Sequence, residues 1–288
     1  MAESTQHLTP SATQGTPAPR QGSWIKTAMM VTGLAVAMLA TNAIAAWPRN
    51  PVAALVIGPI LATAMICLYL WTGRRVERRK VEEFPSHHGV RHLLLGMGIG
   101  VLMSGATVGI LALFGAYTIT GWGSIAGMLA VAGMMCAIAV SEEVFFRGVV
   151  FRLLRGRWGT GLALAVSAII FGLVHLVNPD ASLWGAFAIM IEAGIMLGAA
   201  FLATGSLWLA VGVHFGWNFA TTGLFGSVTS GSEARDSLVT AVTSGPDWLT
   251  GGSFGPEASI IAILVCSIAT VLFLAMARRR GRLALRRR

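Results

Sequence analysis

The sequence predicts an all-α polytopic membrane bundle of about eight transmembrane helices, with the N- and C-termini cytoplasmic. Three observations carry that prediction. Of the 288 residues, 55% are hydrophobic and only 11% are charged, with a mean hydropathy of +0.72; a soluble domain carries about 25% charged residues. A soluble core cannot absorb so much apolar sequence, which excludes the ordinary globular, disordered and disulfide-scaffold classes. The apolar residues fall into continuous runs close to the roughly 20 residues that a helix needs to cross the hydrocarbon, and continuous runs exclude the alternating pattern of a β-barrel. Finally, the basic residues cluster between alternate runs, as the positive-inside rule requires.

In chain order, residues 1–23 are polar and rich in Pro, Thr, Ser and Gln, a composition that reads as a disordered tail. Residues 24–92 hold two spans, 27–46 and 52–71, and a basic cytoplasmic loop. Ala43-Ile44-Ala45 imitates a signal-peptidase site, but the run before it is long for a signal segment and reads as a retained span. Residues 93–277 form a six-helix portion with spans at 93–116, 123–141, 159–177, 184–203, 207–225 and 258–277, and residues 278–288 form a basic cytoplasmic tail. With eight spans and a cytoplasmic N-terminus, 19 basic residues fall inside and only Arg49 and Arg235 outside. That split explains the net charge of +9 as an orientation signal, with the lipid bilayer as the partner and no nucleic acid implied. The expected location is a multi-pass position in the cell membrane, which is the plasma or inner membrane if the source is bacterial. Cys67, Cys136 and Cys266 stand isolated in apolar spans, so neither a disulfide frame nor a thiolate metal site is expected. The segment 226–256 reads as a surface loop.

Ionisable groups inside a membrane are costly and mark functional sites by default. Span four ends in Glu142, Glu143 and Arg147; span five carries Phe171 and His175; span six carries Glu192; span seven carries His214 and Asn218. Glu143 and Arg147 are four apart, share a helix face and can pair, as do His214 and Asn218. Glu142 points about 100° away and is left to face the interior. Arg147 reads either as part of the site or as a stop signal where the helix leaves the membrane. Counted at ~1.5 Å per residue, most of these groups fall between the cytoplasmic surface and the midplane, with His175 deeper. Glu192 reads as a buried acid hydrogen-bonded to another helix, or as a residue of a substrate channel.

A carboxylate can take a proton from water, a histidine can assist it, and a second histidine with an asparagine amide can donate to a developing oxyanion. That set suits amide hydrolysis by activated water. Glu142, His175 and His214 are equally candidate ligands for a divalent metal such as zinc, which would activate the water itself. A proton-coupled membrane transporter could use the same polar groups, and so could a catalytically inactive peptide-binding or immunity protein.

On these residues the chain resembles the CAAX protease and bacteriocin-processing family of intramembrane endopeptidases (CPBP or Abi proteases), which is similar to the type II CAAX prenyl endopeptidases. The family's E-E-x-x-x-R, F-x-x-x-H and H-x-x-x-N patterns correspond here to Glu142, Glu143 and Arg147, then Phe171 and His175, then His214 and Asn218. The resemblance covers roughly residues 93–225. It implies an intramembrane endopeptidase, a putative metalloprotease by the family's name, acting on a membrane-associated peptide or protein. It further implies Glu142 as general base, His175 as its partner and His214 with Asn218 as oxyanion donors. Glu143 and Arg147 would hold the site, and the motifs leave the metal question open.

Overall fold

The computed structural model describes residues 23–283. The expected disordered tail lies outside the described residues except for Ser23, as do the last five residues of the expected basic tail. Helices α1 (Ser23–Ala46), α2 (Pro51–Arg75) and α3 (Gly89–Leu113) come first. Strand β1 (Tyr117–Trp122) follows, and then α4, a continuous helix over Ile125–Trp158. Helix α5 (Thr160–Val174) ends in a 3-10 turn at His175–Val177, and α6 runs over Leu183–Thr204. Helix α7 is α-helical over Leu207–Asn218 and continues as a π-helix over Phe219–Leu224. Strand β2 (Val239–Thr243) and helix α8 (Ile260–Arg279) complete the order.

Several helices begin where a side chain can satisfy the free N–H groups of the first turn. Asn50 Oδ1 accepts from the N–H groups of Val52 and Ala53 at 2.9 and 3.1 Å, with Pro51 in the first helical position. Ser124, Ser182 and Ser259 do the same for α4, α6 and α8.

Among the described residues seven helices are long and apolar enough to cross a membrane: α1 to α6 and α8. This is a multi-pass membrane protein. The sequence expectation was eight spans, and the difference is α7. Its run contains His214, Asn218, Thr221 and Thr222, and most of it is buried. A helix shielded from lipid by its neighbours need not be apolar. The loops still alternate as eight crossings require. On one face, the α1–α2 loop meets the segment after α7 through Arg49 and Glu233, and Asp180 N–H after α5 donates to Gly231 O. Strand β1, between α3 and α4, pairs antiparallel with β2 on that same face. On the opposite face, Glu77 after α2 pairs with Arg152. There too Leu207 N–H donates to Glu83 O and Arg155 donates to Arg282 O. The β-ribbon was not expected; it occupies part of what reads as a surface loop.

Span four is the main correction. The sequence places its end at 141, with Arg147 in the inner loop. In the structure α4 runs on to Trp158, switching to π-helix over Val144–Phe151. Arg147 is 2% exposed and belongs to the interior, not to the basic face.

Helix α7 is held against α3 by four glycines. A Cβ on Gly96 or Gly100 of α3 would collide with the backbone of α7, and one on Gly212 or Gly216 would collide with the backbone of α3. This small-xxx-small pairing lets two backbones touch. His214 lies two residues from each α7 glycine, about 200° around the helix, so the contact that docks α7 also turns His214 away from α3.

Candidate active site

Helices α4, α5, α6 and α7, with α1, surround a cavity of about 650 Å³. Glu142, Phe171, His175, His214 and Asn218 all line it. The structure therefore brings five of the seven sequence-predicted residues to one space. The other two, Glu143 and Arg147, lie directly behind it.

Glu143 is fully buried. Its Oε1 accepts from Arg147 Nη1 at 2.7 Å and faces His214 Nδ1 at 3.0 Å. Arg147 spends its second terminal nitrogen on the backbone carbonyls of Ala193 and Gly194 in α6, at 2.8 and 3.1 Å. Its guanidinium lies 4.6 Å from the centre of the Phe171 ring, a cation–π contact made stronger by burial. The i,i+4 pair expected from spacing is thus a buried junction of four helices: α4 supplies the ion pair, α6 the carbonyls, α7 the histidine and α5 the ring.

Glu142 faces the cavity. Its Oε1 accepts from Asn42 Nδ2 at 2.8 Å, and its Oε2 stands 3.9 Å from His214 Nε2. That separation is too long for a direct hydrogen bond and leaves room for a water shared by the two groups. Asn42 is itself held by Ser141, whose hydroxyl donates to Asn42 Oδ1 at 2.7 Å.

His175 begins the 3-10 turn that ends α5, an early break that brings it to the cavity despite its depth along the helix. Its Nδ1 lies 2.6 Å from Phe171 O. A carbonyl only accepts, so Nδ1 carries a proton, and in the neutral imidazole the lone pair is then at Nε2. The Phe171 ring sits between the two imidazoles, with centroids 4.7 Å from His175 and 6.3 Å from His214. Among the described residues Glu142 and His175 share no direct hydrogen bond.

Among the described residues no three His, Cys, Asp or Glu side chains are grouped to hold an ion. Of the candidate ligands Glu142, His175 and His214, the two histidines direct Nδ1 to Phe171 O and Glu143 Oε1, which leaves Nε2 on each as the nitrogen a metal would use.

Three residues at the cavity were not picked as a set from sequence. Asn42 carries an amide inside an apolar span, which is itself a costly signal, but its partner lies 100 residues away. Glu257 accepts from Trp217 Nε1 at 2.8 Å and from Ser230 N–H and hydroxyl at 2.6 and 2.8 Å. Burial raises its pKa, and the donors from Ser230 and Trp217 act against that rise. Glu192, in a π-helical stretch of α6 at Met190–Ile195, accepts from Cys266 Sγ of α8 at 3.2 Å. It is the buried, helix-bridging acid that the sequence allowed, and it also lines the cavity.

Residues 124–220 match the family model described as type II CAAX prenyl endopeptidase Rce1-like. The match is a likeness over part of the chain. It opens at the cap of α4 and closes two residues after Asn218, and so includes every residue of the three motifs. At the level of family, the Rce1-like match supports a CAAX-type intramembrane protease. Helices α1 to α3 and α8 lie outside the Rce1-like match, yet α1 supplies Asn42 to Glu142. No curated protein and no solved structure matches the chain.

Proposed function

We propose that the protein is an intramembrane endopeptidase that hydrolyses a peptide bond of a membrane-associated protein or peptide with water activated by Glu142 and His175. The observation that carries this reading is the position of Glu142. It is a carboxylate that faces the cavity, oriented by Asn42, with one oxygen turned toward His214 across a gap that a water can fill.

The hydrogen bonds support different roles for the two histidines. His175, protonated at Nδ1, offers a lone pair at Nε2 and assists Glu142 in taking the proton from water. The hydroxide attacks the carbonyl carbon, and the carbonyl electrons move onto oxygen. His214 sits among Glu142, Glu143 and Arg147. With both carboxylates ionised and the guanidinium charged, an imidazolium at His214 brings that buried group to zero net charge, the cheapest state in a low-dielectric interior. His214 Nε2–H and the Asn218 amide then donate to the oxyanion. When the intermediate collapses, the C–N bond breaks and the proton taken from water passes to the leaving nitrogen.

The test is cleavage of a membrane-anchored reporter peptide by the purified full chain and by Glu142→Gln of equal monodispersity. Retention of wild-type cleavage by the variant sinks the mechanism.

A further inference from the structure

The outer part of the cavity belongs to one face of the bundle. Trp47 and Arg49 follow α1, Asn178 and Pro179 follow α5, and Glu233 and Arg235 follow α7; all six line the cavity. No lining residue comes from the 76–88 loop, from Gly159 or from the 204–206 turn at the other face. Toward that other face the floor is closed by Phe146, with Tyr69 and Phe151 buried in the same cluster. Beyond them Arg152 is tied to Glu77 at 2.8 Å.

The two faces differ in charge. Fourteen of the described Lys and Arg residues lie toward the closed face, and two, Arg49 and Arg235, lie at the open one. Such an asymmetry places the closed face in the cytoplasm. Residues whose depth along the helices placed them between the cytoplasmic surface and the midplane thus line a cavity whose mouth lies on the other face.

The mouth also has an apolar lip. Leu39 of α1 and Val177 after α5 line the cavity and are 58% and 82% exposed, where a spanning bundle meets lipid. Beside them Arg49 and Glu233 form an exposed pair at 3.0 Å, too weak a link to bar the entrance.

The geometry points to a substrate that is a membrane-embedded polypeptide segment, taken from the non-cytoplasmic side and cut at the outer end of its apolar stretch. The apolar part passes the Leu39 and Val177 lip, and the polar continuation crosses the Arg49 and Glu233 rim. The word substrate rests on the peptidase reading above; the side on which the cavity opens does not.

The test therefore reads access without needing cleavage. Cys67 and Cys136 are replaced by Ala in the full chain, while the fully buried Cys266 stays. Single cysteines are then placed by Val174→Cys, inside the cavity, and by Ser86→Cys, in the exposed loop of the basic face. A membrane-impermeant methanethiosulfonate is applied to spheroplasts of an expressing bacterium and to inverted vesicles. Val174→Cys reacts in spheroplasts and Ser86→Cys only in inverted vesicles. The reverse pattern, or a Val174→Cys that reacts from neither side, overturns the inference. Should the labelling hold while Glu142→Gln still cleaves the reporter, the side of access stands and the peptidase mechanism falls.

Discussion

Helices α4 and α6 differ in kind from α1, α2, α3 and α8. Of their most apolar stretches, 56% and 72% is buried inside the protein, against 28 to 33% for the other four. Both depart from α-helical winding, at Val144–Phe151 and at Met190–Ile195, and the largely buried α7 departs at Phe219–Leu224. Each departure adjoins a polar group at the cavity: Glu142, Glu192 and Asn218. Single-turn π segments are frequent at functional sites because they re-aim side chains along a helix. The other four helices carry charges only near their ends, at Lys26, Arg74, Arg75, Arg91, Arg278 and Arg279, and among the described residues they stay regular. Solvation by neighbouring helices, not by water, is what lets a span carry chemistry here.

The comparison can be broken most directly at Glu142. Glu142→Gln should lower cleavage by about 10³-fold, within the 10²–10⁴ range of general-base removal, with unchanged elution of the purified protein; a smaller loss returns the residue to a structural role. Next comes Arg147→Met, which strands Glu143 in the interior and should cost about 3–5 kcal/mol, read as the denaturation midpoint in detergent. Adding Glu143→Gln should recover part of that loss, and strict additivity would show that the pair is not coupled.

A third comparison uses two faces of the bundle's glycines. Gly212→Leu forces α7 off α3 and should cost about 1–3 kcal/mol. Gly98→Leu, which meets no atom within 4 Å, should stay within about 0.5 kcal/mol. Asn42→Ala removes one donor to Glu142 and should reduce cleavage about tenfold, the effect of a single charge-assisted hydrogen bond. Smallest of all, Val271→Ala on the exposed face of α8 should leave melting and cleavage unchanged within error; a clear loss would mean that this face is covered.

Much of this was legible because lipid imposes a coarse rule. The eight apolar runs became eight helices, most with ends within a few residues of expectation, since runs of apolar residues have few alternatives in a membrane. Span four was misread for a physical reason. Glu142, Glu143 and Arg147 lower hydropathy as a helix end does, and a linear reading cannot see that His214 and the α6 carbonyls compensate them. The convergence of His175 and His214 was foreshadowed by their motifs, but Asn42 was not, because nothing local ties it to residue 142. The side on which the cavity opens could not be read from depth counted along single helices. The opening is set by where α1 and α5 end.

The Glu143–Arg147 pair has a consequence for how the chain enters the bilayer. Both charges lie on α4, one turn apart, so they can neutralise each other before α6 and α7 have been synthesised. His214, by contrast, arrives 71 residues later. The insertion machinery therefore meets, in the interior of α4, one unpaired charge, that of Glu142, rather than an array of three bare ions. The last helices to emerge complete a polar centre whose most costly part was settled at birth.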